Sequence, residues 1–268
     1  MVDLKHAVQE KGFTVAHIKT DSIKIPNATP EIIKFVMEFG KEYGYTFEHE
    51  ATYEKMCLVN DAVYVAKYAD GEHEFELPTG EKIMTAWTAT GTQFQVPYVF
   101  KTLFAKKPII FSDMCETKSV TSGSIYLDMN EKLPNVEDAE KELKKIIKDH
   151  PEDVAKISSL EQTIATGHNY IFVGRVGLFC PIKKDKGGGL LMREKDGKYY
   201  AVTGTKGYRW LEAEQVKNLK LEDSIDITYY LNACADAIED LSKYGDFEWF
   251  VSDMPYDKDN NGIDDLPF

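Results

Sequence analysis

The segment Pro26-Asn27-Ala28-Thr29-Pro30 constrains this chain more than any other. Pro26 lacks the N–H that a strand interior needs, so the alternating run Ile23-Lys24-Ile25 must end there. Thr29 is a good N-cap and Pro30 carries the fixed φ that suits a first helical position, so a helix must begin there. Upstream, Phe13-Thr14-Val15-Ala16-His17-Ile18 is a β-branched and apolar run, and residues 19–22 form a turn between it and the return strand. Downstream, Ile32, Ile33, Val36, Met37 and Phe39 recur at helical spacing over residues 31–43, where Gly40 or Gly44 can close the helix. With residues 3–11 read as a short helix ending at Gly12, the chain opens as helix, hairpin, helix.

Residues 45–50, 55–59 and 62–67 read as successive strands, with Asn60-Asp61 as the turn between the last two. Residues 82–129 are mixed, with a helix expected over 96–104. Residues 133–150 form a charged helical stretch stopped by Pro151, and 152–166 continue as helix. Beyond them, glycines separate short strands at 168–182, 187–193 and 198–202, closed by helices near 212–220 and 224–243. The whole predicts an α+β fold. Glycines 187–189 lack the Gly-Lys-Ser/Thr of a phosphate loop, so a hairpin loop is the expectation.

Composition narrows the function classes. A content of 43% hydrophobic residues can fill a core, no run approaches the length of a membrane span, and the N-terminus has no signal-peptide character, so the expected compartment is the cytoplasm. Cys57, Cys115, Cys180 and Cys234 are widely separated and read as reduced, mostly buried thiols. His6, His17, His49, His73, His150 and His168 show no ligand spacing and read as surface or core fillers. The formal net charge of −13 opposes simple condensation on nucleic acid. Residues 252–268 hold five Asp against one Lys, which leaves a body near −9. DNA contact must therefore come from local patches, such as Lys101, Lys106 and Lys107, or Lys183, Lys184 and Lys186 with Arg193, Lys206 and Arg209.

Asp21 sits at the expected tip of the first hairpin, within Lys19-Thr20-Asp21-Ser22. A carboxylate held there keeps its oxygens open to a divalent ion, and magnesium takes one or two carboxylates together with substrate phosphates. A Thr-Asp-Ser hairpin, a helix of about four turns, Phe47-Glu48-His49-Glu50 and a strand pair ending in Tyr64 together resemble phage-type family B DNA polymerases from motif C to the end of the palm. The resemblance implies that Asp21 is a catalytic residue and a ligand of Mg2+, and that Tyr64 grips the primer backbone. It implies DNA contacts at Lys55, Lys67, Lys206 and Arg209, with primer-template DNA as partner. The family's first motif C aspartate is Lys19 here, and the lysine of its Lys-x-Tyr element is Ala62. The segments Thr88-Ala89-Thr90-Gly91-Thr92-Gln93-Phe94-Gln95-Val96-Pro97-Tyr98-Val99-Phe100 and Gly204-Thr205-Lys206-Gly207-Tyr208-Arg209-Trp210 are similar to the C-terminal region of a phage-borne branch. Tyr208-Arg209-Trp210 suits stacking and phosphate contact, or equally a strand-to-helix core corner.

On this resemblance residues 1–69 are a partial palm, 70–165 a thumb-like region, 166–250 a β-rich module and 251–268 an acidic disordered tail. The fingers lysine and second palm aspartate of motifs A and B are missing, so the chain is expected to be inactive alone and to join an N-terminal polymerase fragment in a bacterial host cell, as a split gene or a prophage remnant. The alternative expectation is a non-catalytic DNA-binding or replisome-docking protein. In the tail, Asp257-Lys258-Asp259-Asn260-Asn261-Gly262 opens like an EF-hand loop but has Phe268 where a bidentate Glu belongs. Asp264, Asp265, Leu266, Pro267 and Phe268 resemble the acidic tip of bacterial single-stranded DNA-binding proteins, which implies docking to host replication or repair proteins.

Overall fold

A computed structural model describes residues 1–129 and 133–253 of the chain. The fold is α+β, as the sequence predicts. It divides into two compact units, one made of Met1–Pro108 together with the residues from Ala233 onward, the other of Ile109–Asn232.

The first unit opens with α1 (Val2–Glu10), the short hairpin β1 (His17–Ile18) and β2 (Ile23–Lys24), and α2 (Pro30–Glu42). Thr29 caps α2, its Oγ1 accepting from the Ile32 N–H at 3.4 Å, with Pro30 at the first turn. The helix closes in a Schellman motif: Gly44 N–H donates to Lys41 O, Tyr45 N–H donates to Gly40 O, and Gly44 takes the left-handed φ of +78° that only glycine adopts without strain. Leu4, Val8, Ile32 and Val36 bury against one another, joined by Phe13, Ile23, Phe39 and Phe47. Each such aliphatic burial stabilises by about 1.5–3 kcal/mol.

Residues 45–50 form no strand, contrary to expectation. The Tyr45 N–H is committed to the helix end, and the Phe47 ring lies on Gly40, where a Cβ would stand 2.3 Å from it. Extended pairing begins only at β3 (Tyr53–Asn60), which pairs antiparallel with β4 (Val63–Tyr68). The turn lies one residue later than predicted, on Asp61-Ala62, because the Asn60 side chain accepts from the Ala62 N–H at 2.9 Å.

A small hairpin, β5 (His73–Glu76) with β6 (Lys82–Thr85), precedes β7 (Trp87–Ala89), which adds to β4 on the side away from β3. The helix expected over 96–104 is present as α4 (Pro97–Phe100) running directly into a π-helical turn at Lys101–Ala105, and a separate short α3 (Thr92–Gln95) precedes it. Pro97 has no N–H to continue a helix from α3.

The second unit contains two sheets. β8 (Glu116–Ser119) and β9 (Ser124–Asp128) are followed by the helices α5 (Leu133–Asp149) and α6 (Val154–Gly167), the first ending ahead of Pro151 as predicted. The expected single strand over 168–182 is two, β10 (Tyr170–Gly174) and β11 (Val176–Ile182), which join different sheets. Gly174, at φ +125°, permits the break. After β12 (Leu190–Lys195), β13 (Lys198–Ala201) and β14 (Arg209–Glu212), the sheet orders are β10-β9-β12-β13 and β14-β11-β8. Gly123 allows β9 and β12 to approach: a Cβ there would lie 1.9 Å from Glu194 O. Ile125, Leu127, Phe179, Leu191, Val202 and Trp210 form this unit's core.

The chain continues through α7 (Ala213–Asn218) and α8 (Ile227–Ser242), and ends its described part with α9 (Phe247–Val251). Cys234, Ala237, Leu241, Phe247 and Phe250 complete the first unit's core around Val65, Trp87, Phe94 and Phe100. Strand pairing bridges two of the expected domain boundaries: β4 with β7 across 69/70, and β9 with β10 across 165/166. Among the described residues no helix is long and apolar enough to cross a membrane.

Candidate functional site

The first hairpin carries the candidate metal ligand. Lys19 N–H donates to Ser22 O at 2.9 Å and closes a tight turn, while His17 pairs with Lys24 and Ile18 with Ile23. Asp21 stands exposed at the tip. The hairpin is fixed at its base. The buried His17 ring meets Asp61 O at 2.9 Å, which joins β1 to the β3–β4 turn. From the neighbouring strand, Lys24 Nζ lies 5.1 Å from the Tyr64 ring centroid and 5.9 Å from that of Tyr53. Two segments separated by some forty residues, the Thr-Asp-Ser turn and Tyr64, thus belong to one local assembly. Burial pushes both the Tyr53 and Tyr64 phenols above their ordinary value, so both rings stay neutral and able to donate.

Among the described residues, no group of three or more His, Cys, Asp or Glu side chains comes together as a metal site. Two-metal phosphoryl transfer needs at least a second carboxylate bridging the ions. Asp21 offers one exposed carboxylate at the hairpin tip.

The expected DNA-contacting cations divide into internal and external groups. Lys55 is buried, and its ammonium donates to Trp249 O at 2.9 Å and to Ser252 O at 2.8 Å while lying 4.4 Å from the Trp249 ring centroid. It anchors the C-terminal end of α9, where helix carbonyls lack intrahelical partners. Burial holds its pKa below the ordinary lysine value. Lys67 contacts Asp253 at 2.9 Å and Glu54 at 3.2 Å. Burial pulls its pKa down, but these carboxylates outweigh it and hold the group above its ordinary value. Arg209 is buried too. Its guanidinium Nε donates to Gly187 O at 2.9 Å, binding the glycine loop to β14. Trp210 lies wholly inside, its indole N–H donating to Thr205 O, so Tyr208-Arg209-Trp210 is a core corner. Lys206 is exposed.

The first basic patch is likewise drawn into ion pairs, Lys101 with Glu81 at 2.8 Å and Lys107 with Glu72 at 3.3 Å. Glycines 187–189 do not close the hairpin expected of them: they link β11 to β12, which lie in different sheets, and Gly189 pairs instead with Trp210. The residues resembling an EF-hand opening, and Asp264, Asp265, Leu266, Pro267 and Phe268, lie outside the described residues.

One pairing escaped sequence reasoning. His168 is no mere filler: its Nδ1 lies 2.5 Å from Asp128 Oδ2, and the other oxygen of this buried carboxylate accepts from the Asn169 N–H at 2.7 Å. The ring stacks on Tyr170, which stacks on Tyr199 with centroids 3.8 Å apart. The single available signal was Asp128 itself, an acidic residue inside the strand pattern Ile125-Tyr126-Leu127-Asp128. Its partner forty residues away had none.

A scan against protein-family models and searches of curated proteins and of solved structures found no match to this chain.

Proposed function

We propose that this chain is the C-terminal part of a DNA-directed DNA polymerase of the phage-type family B kind, working in the cytoplasm of a bacterial host and incomplete without an N-terminal fragment. The observation that carries the reading is the joint between the Thr20-Asp21-Ser22 hairpin and the strand pair bearing Tyr64, made by His17 on Asp61 and by Lys24 over Tyr64. A polymerase palm needs such a joint, because a carboxylate that serves nucleotidyl transfer must hold a fixed position relative to the primer strand. Asp21 contributes the exposed carboxylate. The remaining ligands, and the basic residues that bind the incoming triphosphate, come from the partner fragment. The tip at residues 264–268 docks host replication or repair proteins.

A second reading, a non-catalytic DNA-binding or replisome-docking protein, is favoured by the internal partners of Lys55. Primer extension separates the two. The purified chain is mixed with primer-template, magnesium and deoxynucleotides, with and without a polymerase fragment that carries motifs A and B. Synthesis that requires both fragments and disappears in Asp21→Ala supports the first reading. A folded complex of the two fragments that makes no product overturns it in favour of the second.

A further inference from the structure

The β12–β13 hairpin of the second unit forms one wall of a groove of about 860 Å³, lined also by residues 117–121. Register decides what faces it. Arg193 pairs with Tyr200 and Lys195 with Lys198, so these four side chains leave one face of the two-stranded ribbon. Lys118 enters the lining from β8, and Asp196 at the hairpin turn is the one carboxylate among the groove's lining residues. In a chain of net charge −13, four cations against one acid is a segregation of charge.

The cations are placed in two ways. Arg193 is braced by the Ser122 carbonyl, which accepts from its Nε at 2.9 Å, and by the Ser122 hydroxyl. Lys118 is held by Glu116 at 2.6 Å and lies 4.9 Å from the Trp210 ring centroid. Lys195 and Lys198 are exposed and directly opposite each other, a like-charge pair that weakens the ribbon unless an anion lies between them. Edge strands carry lysine to prevent edge pairing, which accounts for Lys198 on β13. It does not account for Arg193, which stands on a strand inside its sheet and lines the same volume. Thr117, Ser119 and Thr121 add hydroxyl donors along the floor, and Tyr200 keeps an exposure of 53%.

We infer that this groove binds single-stranded DNA, with Lys195, Lys198 and Arg193 on its phosphates and a base stacked on Tyr200. A phosphodiester chain is the polyanion that matches a row of cations and hydroxyls, and an open aromatic face offers stacking that only an unpaired base can use. The choice of DNA as the strand rests on the polymerase reading. The groove itself does not involve Asp21.

The test is fluorescence anisotropy of a short labelled single-stranded oligodeoxynucleotide with the full chain, without divalent ions and over a range of salt. Lys195→Gln with Lys198→Gln should weaken binding about tenfold at low salt and make the slope of log affinity against log salt shallower by about 1.4. Tyr200→Ala should weaken binding about tenfold with the salt slope unchanged. Lys34→Gln, an exposed lysine on α2, should bind as wild type. The assay needs neither magnesium nor a second polymerase fragment, so a failure of complementation and a failure of the groove remain distinct. Unchanged affinity and slope in the double lysine variant would overturn the proposal, as would absence of binding by the wild-type chain. Tighter binding of a blunt duplex, with Tyr200→Ala behaving as wild type, would overturn the single-strand assignment.

Discussion

Replacing Lys55 by methionine tests whether this lysine is an internal anchor or a DNA contact. Methionine keeps an unbranched stem against Trp249 but removes the ammonium that donates to Trp249 O and Ser252 O. The two carbonyls are not equally affected. Trp249 O retains the Ser252 Oγ–H at 2.8 Å and the Ser252 N–H at 3.2 Å, whereas the Ser252 carbonyl, at the partly exposed end of α9, loses the bond from the ammonium at 2.8 Å. A hydrogen bond from a charged donor contributes about 1.5–3 kcal/mol, and the variant recovers the cost of desolvating the ammonium. The expected net loss is about 2 kcal/mol, which lowers a urea midpoint by about 1 M at an m value near 2 kcal/mol/M. The loss should be local first: amide hydrogen exchange at Trp249, Phe250 and Ser252 should quicken before that of β3 and β4. DNA affinity and its salt slope should not change. If Lys55→Met instead unfolds within about 0.5 kcal/mol of wild type and makes the salt slope of DNA binding shallower by about 0.7–0.9, the ammonium reaches phosphate and the anchor argument fails.

Asp128→Ala removes the buried acceptor shared by His168 and the Asn169 N–H, and should destabilise by about 3 kcal/mol in urea unfolding, with Asp128→Asn costing less because its amide oxygen can still accept from Asn169. Burial raises the Cys57 and Cys234 thiols to about 11 each, so their contribution to stability is whole below the unfolded-state pKa near 8.5 and is lost as pH rises toward 11. Buried tyrosines act in the same direction, so the measurement is a difference: the urea midpoint of Cys57→Ala with Cys234→Ala should fall less steeply over that range than wild type, and parallel curves would exclude the thiols as the cause.

What the sequence determined by itself is local. The bounds of α2 follow from Thr29, Pro30 and Gly44, because a side-chain cap, a fixed proline φ and a left-handed glycine act within a few residues of where they stand. The first hairpin, the end of α5 before Pro151 and the α+β class were legible for the same reason. Where local rules collided with contacts made at a distance, they misled: residues 45–50 have strand composition, yet the α2 end and Phe47 on Gly40 use that backbone and side chain differently.

Tertiary structure alone decided which cations face outward. Lys55 and Trp249 are 194 residues apart in sequence, and no spacing rule announces that an ammonium on β3 will anchor α9. Arg209 was equally ambiguous until the glycine loop folded onto it, and Lys195 with Lys198 became a shared face only through the register of β12 and β13. The physical reason is common to all of these. Charge and hydrogen-bonding capacity are properties of a side chain, but whether they are satisfied internally or left open to a ligand depends on partners brought close by the fold.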